Sequence, residues 1–404
     1  MKTHENYAHV VDKAIRCHQQ NRNPSEIEQR DITLARLYSY AFRLHVIGTF
    51  HATRVALETC PAATPIAKIL RQRTVETLED LASQSTEPIP DDFRAVISTI
   101  HRYDRKIRRV LDSLSAECRE SNDARLTAIA DRFRSIIEEI TTSCGIHVMQ
   151  DTHAPEQAGF VVPGLGITIV PLVYGDHHSW NLAWLAGDER NVPTHRHHHG
   201  VEIHLGYEPT HGVTVLGDYR AKVDDGYAMP IPPETDHGWV NTSETPHHVP
   251  FIFGSLEHAG WGVFLDVEQS LKPVETLTWV ERDSVRFSQM IYLEREIERA
   301  AKLTSNFRKT LIPYTVTNRG GSGGLELSLS RINGFGYSFP VDAFRAVSIA
   351  RGTATVSIDG IEREVRARDH FGIPAGLTAT LRQVGDAPLV VLDAMIKSYS
   401  RSSV

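Results

Sequence analysis

Residues 194–212, THRHHHGVEIHLGYEPTHG, hold six histidines and two glutamates in nineteen positions. Imidazole and carboxylate groups at this density could form a metal site or a histidine-rich surface tract. In a β-strand alternate side chains share a face, so His195 and His197 would point the same way. Glu202 follows His197 by five residues, where the chain could return to the same pocket. This spacing indicates three ligands of one metal ion.

A fourth donor lies downstream in GYAMPIPPETDHGWVN, residues 226–241. His237 follows a proline-rich turn in this segment and precedes Asn241 by four residues. Three imidazoles and one carboxylate suit a borderline divalent ion such as Fe, Mn, Ni, Co or Zn, with coordination positions left open. The two segments together predict one divalent metal ion per chain.

Both segments resemble the two sequence motifs of the cupin superfamily. The HxHxxxxE pattern of the first motif is matched by His195, His197 and Glu202, whereas Gly187 lies two residues too far upstream for the motif's glycine. The pattern of the second motif is matched, with glutamate in place of its central glycine, by Gly226, Pro232, Glu234, His237 and Asn241. The resemblance implies a small β-barrel that holds a metal ion through His195, His197, Glu202 and His237.

A second β-rich stretch near the carboxy terminus resembles a further cupin repeat. Its segment ARDHFGIPAGLTATL keeps the turn of the second motif, with Pro374 and Gly376 in place. The ligand position, however, is Ala379, and the upstream segment SFPVDAFRAVSIARG has no histidine where HxH belongs. The resemblance covers residues 150–396 and implies a bicupin whose carboxy-terminal barrel has lost its metal.

The remaining chain completes an α+β organisation, in which an N-terminal helical bundle precedes two antiparallel, jelly-roll-like β-barrels. Apolar residues at helical spacing fill the first 145 positions, and β-branched and aromatic runs broken by Gly, Pro, Asp and Asn follow Gly145. A helical stretch at 284–303 and the sequence RGGSGG at 319–324 predict a connector. The predicted domains are a helical bundle (1–147), a metal-binding cupin barrel (148–270), a helical connector and linker (271–324) and a degenerate second barrel (325–404).

The composition of the chain indicates which kinds of partner and which cellular compartment to expect. The 404-residue chain has a net charge of −7 without a Lys/Arg block, so neither a nucleic-acid nor a membrane partner is expected. The sequence shows neither an apolar run long enough to span a bilayer nor a signal-peptide core. All four cysteines lie in the first 150 residues without CxxC spacing and indicate reduced thiols of a cytoplasmic protein. We expect a small-molecule substrate and a homodimer.

Several polar side chains near the predicted ligands could take part in catalysis. The candidates are His199, His204 and Arg220, with Arg190 as a further possible clamp for a carboxylate or phosphate. His199 could also replace His195 in an alternative ligand pair with His197, or line the barrel mouth with His198. His204 could instead be a core histidine, and the arginines could form surface ion pairs.

Other residues could line the substrate pocket. An apolar wall would come from the aromatic residues Tyr207, Tyr219, Trp239 and Phe251. His177 and His178 could reach the cavity or lie in a solvated turn, and surface placement is favoured for His247 and His248.

The predicted ligand set limits the chemistry to a few classes. With Fe(II), open coordination positions suit an O2-dependent oxygenase, which is the favoured function. The HRH segment resembles ring-cleaving bicupins that act on hydroxylated aromatic acids, but those use three histidines, and Glu202 departs from that pattern. With Zn, Mn or Ni the same ligands suit a redox-neutral isomerase or lyase. A metal-bearing sensor or ligand-binding protein is the third alternative.

Overall fold

A computed structural model describes most of the chain after residue 145. The described residues are 37, 146–151, 160–162, 167–175, 177–185, 191–206, 212–223, 226–255, 268–269, 272–318, 321–334, 336–340 and 342–399. The predicted helical bundle therefore lies outside the described residues, apart from Leu37, which is helical and buried.

The chain divides into two compact units. One comprises residues 1–147 with 357–363, and the other comprises residues 148–356 with 364–404. The second unit contains two successive sets of β-sheets, which agrees with the mostly β, cupin-like architecture expected from the sequence.

Two six-stranded sheets build the first barrel. Its strands are β2 (Phe160–Val162), β3 (Ile167–Tyr174), β4 (His178–Leu185), β5 (Asn191–Arg196), β6 (Val201–Leu205), β7 (Gly212–Leu216), β8 (Tyr219–Val223), β9 (Ala228–Ile231), β10 (His237–Asn241), β11 (His247–Gly254), β12 (Glu268–Gln269) and β13 (Thr278–Trp279). One sheet has the order β12-β5-β10-β7-β8-β13, and the other has the order β2-β3-β4-β11-β6-β9. The two motif segments thus contribute strands to both sheets.

Apolar side chains fill the space between these sheets. The buried cluster includes Tyr227, Met229, Trp239, Phe251 and Phe253. They alternate along their strands with residues that face outward, as the period of two requires. Burial of each large apolar side chain stabilises the fold by roughly 1.5–3 kcal/mol, so this cluster gives the barrel a rigid frame.

The second barrel consists of a six-stranded and a four-stranded sheet. Its elements are β1 (Met149–Gln150), β14 (Phe307–Asn318), β15 (Gly321–Ile332), β16 (Tyr337–Phe339), β17 (Arg345–Arg351), β18 (Thr353–Ile358), β19 (Ile361–Arg366), β20 (Asp369–Ile373), β21 (Ala379–Val384) and β22 (Leu389–Tyr399). The larger sheet has the order β1-β20-β17-β22-β15-β14, and the smaller has the order β16-β21-β18-β19.

The larger sheet of the second barrel packs against the first barrel. The ring of Phe344 lies against Gly175 and Gly372, at positions where an added Cβ would overlap it. Leu325 and Ile396 approach Gly254 in the same way. Gly175 and Gly254 therefore allow the two barrels to come into close contact, whereas Gly372 makes room for Phe344 within the second barrel.

The connector differs from its prediction in two respects. Within 284–303, only Leu293–Ala301 forms an α-helix (α1), whereas Val285–Phe287 forms a 3₁₀ turn, as does Val274–Thr276 outside that range. The glycine-rich segment expected to be a flexible linker instead begins β15, where it pairs with both β14 and β22. Tertiary pairing overrides the weak intrinsic strand propensity of glycine here.

In the turn before β10, Glu234 adopts the backbone conformation of the glycine that it replaces in the second motif. Glu234 has φ of 61°, in the left-handed region that usually favours glycine, and Gly376 at the matching position of the second barrel has φ of 78°. The Glu234 N–H donates to the carbonyl of His197 at 2.7 Å. This bond ties the turn to the first motif.

No helix in the part of the chain that the structure describes is both long and apolar enough to cross a membrane.

Candidate metal centre

Three strands bring the four motif residues together at one end of the first barrel. His195 on β5 pairs directly with His237 on β10, and Glu202 lies on β6 in the facing sheet. His197 follows the last residue of β5. One ligand atom from each of these residues lies within 4.8 Å of the others.

The spacing of these atoms fits a metal ion. Nε2 of His197 and Nε2 of His237 lie 2.8 and 3.2 Å from the same carboxylate oxygen, Oε2 of Glu202. Metal–ligand bonds of about 2.0–2.2 Å place adjacent ligand atoms about 3 Å apart and opposite ones about 4.2 Å apart. The separations of 2.8 and 3.2 Å are therefore those expected for adjacent ligands of one ion.

Backbone carbonyls orient two of the histidines. Nδ1 of His195 lies 2.8 Å from the carbonyl of Pro193, and Nδ1 of His237 lies 2.9 Å from the carbonyl of Thr235. Each Nδ1–H therefore donates to a carbonyl two residues earlier, which leaves Nε2 with its lone pair exposed to the cluster. Metal-bound histidines in proteins are usually oriented by such bonds.

The geometry around His237 favours a cation between this imidazole and Glu202. With its proton on Nδ1, neutral His237 presents an Nε2 lone pair to the carboxylate oxygen of Glu202. Burial lowers the pKa of His237, although Glu202 raises it in part. A proton is therefore disfavoured on Nε2 at neutral pH, and a divalent cation is the charge that suits the gap.

The remaining pKa shifts also favour metal binding. Burial, with the neighbouring His237, holds the pKa of His195 well below its ordinary value. Burial raises the pKa of Glu202, but the surrounding histidines, His237 foremost, outweigh burial and hold the pKa of this carboxyl group well below its usual range. Neutral imidazoles and an ionised carboxylate are the forms that bind metal.

His204 is the candidate that the structure brings to the cluster without adding it to the ligand set. Its Nε2 lies 2.9 Å from Oε1 of Glu202, the carboxylate oxygen that does not face His197 and His237. The side chain is 4% exposed, and its Nδ1 has no hydrogen-bond partner in the described part of the chain.

Trp239 and Phe251, two of the proposed wall residues, lie in the apolar interior next to the cluster. Trp239 follows His237 by two residues on β10 and stacks on Tyr227 with ring centroids 5.6 Å apart. Phe251 pairs with His204 across β11 and β6. Sequence reasoning missed Tyr227, whose position before β9 gives no periodic signal. The ring of Phe253 lies 5.1 Å from that of His197.

The structure contradicts the placement of Arg220 as a catalytic candidate. His237 pairs with Leu216, and Leu216 pairs with Tyr219, so Tyr219 shares the inner face and Arg220 points to the outer one. The Arg220 guanidinium stacks over Trp279 at 4.6 Å and donates to the carbonyl of Glu275. Tyr219 is half-buried beside the core cluster, with Arg286 over its ring.

The remaining candidate residues lie outside the four-residue cluster or outside the described residues. His199 is exposed and lies outside the four-residue cluster, which contains His195 instead. His198 lies between the carboxylates of Glu234 and Glu268 at 2.9 and 3.1 Å. Tyr207 and Arg190 lie outside the described residues.

The expected solvated turn at His177 and His178 is wrong for His178. This residue begins β4, is 1% exposed, and contacts the carbonyl of Ala394 in the second barrel through Nε2 at 3.0 Å. His247 and His248 are half-buried at the start of β11, where His248 stacks on Trp184.

The fold and the site agree with the two sequence motifs. The first barrel consists of two six-stranded sheets and contains the His/His/Glu/His cluster that both motifs predict. The second barrel repeats the architecture with alanine at the corresponding ligand position.

Comparisons with known proteins give structural likeness alone. A salicylate 1,2-dioxygenase from Pseudaminobacter salicylatoxidans aligns at 12% identity over 63% of this chain and 87% of its own, with a TM-score of 0.46. A variant of that enzyme in complex with gentisate aligns at 13% identity over 72% and 95%, with a TM-score of 0.45. A cupin 2 conserved barrel domain protein from Leptotrichia buccalis aligns at 10% identity over 59% and 92%, with a TM-score of 0.39.

No family model matches the sequence, and the curated proteins contain no match. Because every TM-score above is below 0.5, these likenesses support no assignment of family or function to this chain.

Proposed function

We propose that the protein is a metal-dependent enzyme that acts on a small molecule, and that it is an Fe(II)-dependent oxygenase. The observation that carries the proposal is the convergence of His195, His197, Glu202 and His237 at one end of an apolar barrel interior. When bound, Fe(II) would supply one-electron chemistry with O2. Four protein ligands on a six-coordinate ion would leave two positions open.

The chain's own residues support an enzyme in three ways. The ligands lie on or beside paired strands, which hold a site more rigidly than loops. The backbone carbonyls of Pro193 and Thr235 fix the orientation of two imidazoles. The apolar wall that includes Trp239 and Phe251 would exclude water and pack against the carbon skeleton of a substrate.

A redox-neutral isomerase or lyase is the second candidate. Glu202 is the observation that favours it, since this carboxylate supplies a fourth ligand with a negative charge. A Zn, Mn or Ni ion in such a site would polarise a bound substrate as a Lewis acid. Both candidates use the same four residues and differ in their need for O2.

Oxygen dependence separates these functions. Apoprotein loaded with Fe(II) or with Zn would be screened against hydroxylated aromatic acids, including salicylate and gentisate, and against sugars and oxoacids, in air and under anaerobic conditions. The proposal expects O2 uptake matched by product with Fe(II) and none with Zn. Full turnover by Zn-loaded protein without O2 would contradict the oxygenase and support the isomerase or lyase. Ligand binding without turnover under every condition would indicate a sensor.

A further inference from the structure

The two ring nitrogens of His204 differ in their contacts: Nε2 contacts Glu202, whereas Nδ1 has no hydrogen-bond partner among the described residues. Its Nε2 lies 2.9 Å from Oε1 of Glu202, while Oε2 of the same carboxylate faces His197 and His237. His204 thus holds the carboxylate oxygen that points away from the cluster, so that the other oxygen stays directed at the ion's position.

The proton on His204 can be placed from these contacts. An ionised carboxylate only accepts hydrogen bonds, so Nε2 of His204 must carry the proton that it donates. Nδ1 of the neutral ring is then an acceptor, and this buried atom has no hydrogen-bond partner among the residues that the structure describes. His195 and His237 have the opposite arrangement, because their Nδ1 atoms donate to backbone carbonyls.

The neighbours of His204 offer no donor for this acceptor. In the strand register His204 is opposite Met229 on β9 and Phe251 on β11, and both side chains are apolar and buried. Buried polar atoms in native proteins are nearly always hydrogen-bonded. A partner for Nδ1 must therefore come from outside the neighbouring strands.

We propose that His204 is a positioning residue for Glu202 and, through Nδ1, the acceptor for a hydroxyl group of the substrate. The inference rests on the proposed function and narrows its substrate class to small molecules with a hydroxyl group close to the atoms that approach the ion. The hydroxyl hydrogen would pair with Nδ1, and the carbon skeleton would lie against the apolar wall of Met229 and Phe251.

Two substitutions separate the two roles of His204. The amide of glutamine reaches the position of Nε2, so His204→Gln keeps a donor for Glu202 and loses the acceptor at Nδ1. The amide of asparagine reaches the position of Nδ1, so His204→Asn keeps an acceptor there and loses the bond to Glu202. His248→Gln, at a half-buried histidine on the adjacent strand β11, is the matched control.

The experiment uses Co(II)-loaded full-length protein under anaerobic conditions. Co(II) affinity is measured by competition with a chelator, and binding of glycolate and of methoxyacetate is followed through the visible spectrum of the metal. We expect His204→Asn to weaken Co(II) binding by roughly 10- to 100-fold, as loss of a bond to a metal ligand usually does, and His204→Gln to change it only a few-fold. The wild type and His248→Gln should prefer glycolate by about tenfold, the ratio for one hydrogen bond.

The decisive comparison is the glycolate preference of His204→Gln. The proposal expects this variant to bind both probes equally, while His204→Asn retains the preference. A preference that persists in His204→Gln would show that the metal alone selects the hydroxyl group, and would overturn the proposal. So would equal binding by the wild type, which indicates an ordered water at Nδ1, or a failure of glycolate to bind. Since turnover is not measured, a protein that passes this test without O2-dependent activity would contradict the oxygenase alone.

Discussion

Arg345 in the second barrel lies at the position that Glu202 occupies in the first. Glu202 pairs with Ile231 of β9, six residues before His237, and Arg345 pairs with Ile373 of β20, six residues before Ala379. Likewise Phe339 is opposite Ala379, as His195 is opposite His237. A guanidinium and two apolar side chains thus replace a carboxylate and two imidazoles, so these three positions offer no ligand to a divalent cation.

A buried ion network takes the place of the metal cluster in the second barrel. Asp393 is fully buried and accepts hydrogen bonds from Arg345 at 2.7 Å and from Arg308 at 2.7 and 3.0 Å. Removing one partner of a buried ion pair leaves an uncompensated charge, which costs about 3–5 kcal/mol. We expect Asp393→Ala to lower the free energy of unfolding by that amount in urea denaturation.

A surface ion pair provides the control for Asp393. Lys272 and Asp218 lie 2.6 Å apart and are exposed, so Lys272→Ala should leave the unfolding midpoint unchanged. Equal effects of the two substitutions would show that the network in the second barrel does not stabilise the fold.

Removal of the hydroxyl group of Tyr227 should not lower the stability of the protein. This group is fully buried and has no hydrogen-bond partner within the ranges that the structure describes, and burial raises the pKa of the phenol. An unsatisfied buried polar group costs about 1–3 kcal/mol. Tyr227→Phe should therefore leave the metal-free protein as stable as the wild type or make it more stable, as measured in urea. A loss of stability above 1 kcal/mol, by the same scale, would show that the hydroxyl group has a partner.

The stability of the protein should fall in mild acid, in part because of His178. Burial, with the charges of His177 and Arg345, lowers the pKa of His178 to about 3, although the bond to Ala394 raises it in part. Between that value and the unfolded pKa of about 6.5, the unfolded chain binds a proton that the folded chain does not, so stability is lost as pH falls. The slope is about 1.4 kcal/mol per pH unit for one group.

His178→Gln tests this contribution, since glutamine can still donate to the carbonyl of Ala394 but does not titrate. Urea denaturation from pH 7 to pH 4.5 gives the slope of the unfolding free energy against pH. In the variant this slope should be smaller than in the wild type by the contribution of one bound proton. Parallel curves for the two proteins would indicate that His178 is protonated in the folded state.

Gly200 should prove necessary for the shape of the first motif. A Cβ at this position would overlap the ring of Phe253, which also contacts His197. Gly200→Ala should therefore displace Phe253 and disturb His197. Because mutations of the residues around metal ligands usually lower metal affinity by 10- to 100-fold, we expect a loss of about tenfold or more, measured by chelator competition. A Cβ added at Gly217, where φ is 61°, meets no atom within 4 Å, and asparagine tolerates that conformation, so Gly217→Asn is the control. This control should bind metal normally, and equal affinity in both variants would contradict the packing argument.

The sequence was sufficient to predict the ligand cluster because its motifs encode strand period and turn length. His195 and His197 share parity, and the turn that brings His237 back has a fixed number of residues. The same reasoning placed Arg220 near the metal strands, but its face depends on the register between β7 and β8, which no local pattern reveals. His178 was expected in solvent because the second barrel, which buries it, is distant in sequence. His204 and Glu202 are two residues apart, so their side chains share a face once both are known to lie on one strand, β6. Their contact could not be predicted before that strand was established.

Metal content tests the central claim most directly. Full-length protein purified without chelators, or reconstituted separately with Fe(II), Mn, Co and Zn, would be analysed by elemental mass spectrometry together with the Glu202→Ala, His237→Ala and His199→Ala variants. We expect about one ion per chain in the wild type and in His199→Ala, whose exposed imidazole lies outside the cluster. Glu202→Ala and His237→Ala should lose most of the ion while keeping the circular dichroism spectrum of the fold. Retention of one tightly bound ion in both of these variants, or its absence from the reconstituted wild type, would contradict the metal centre.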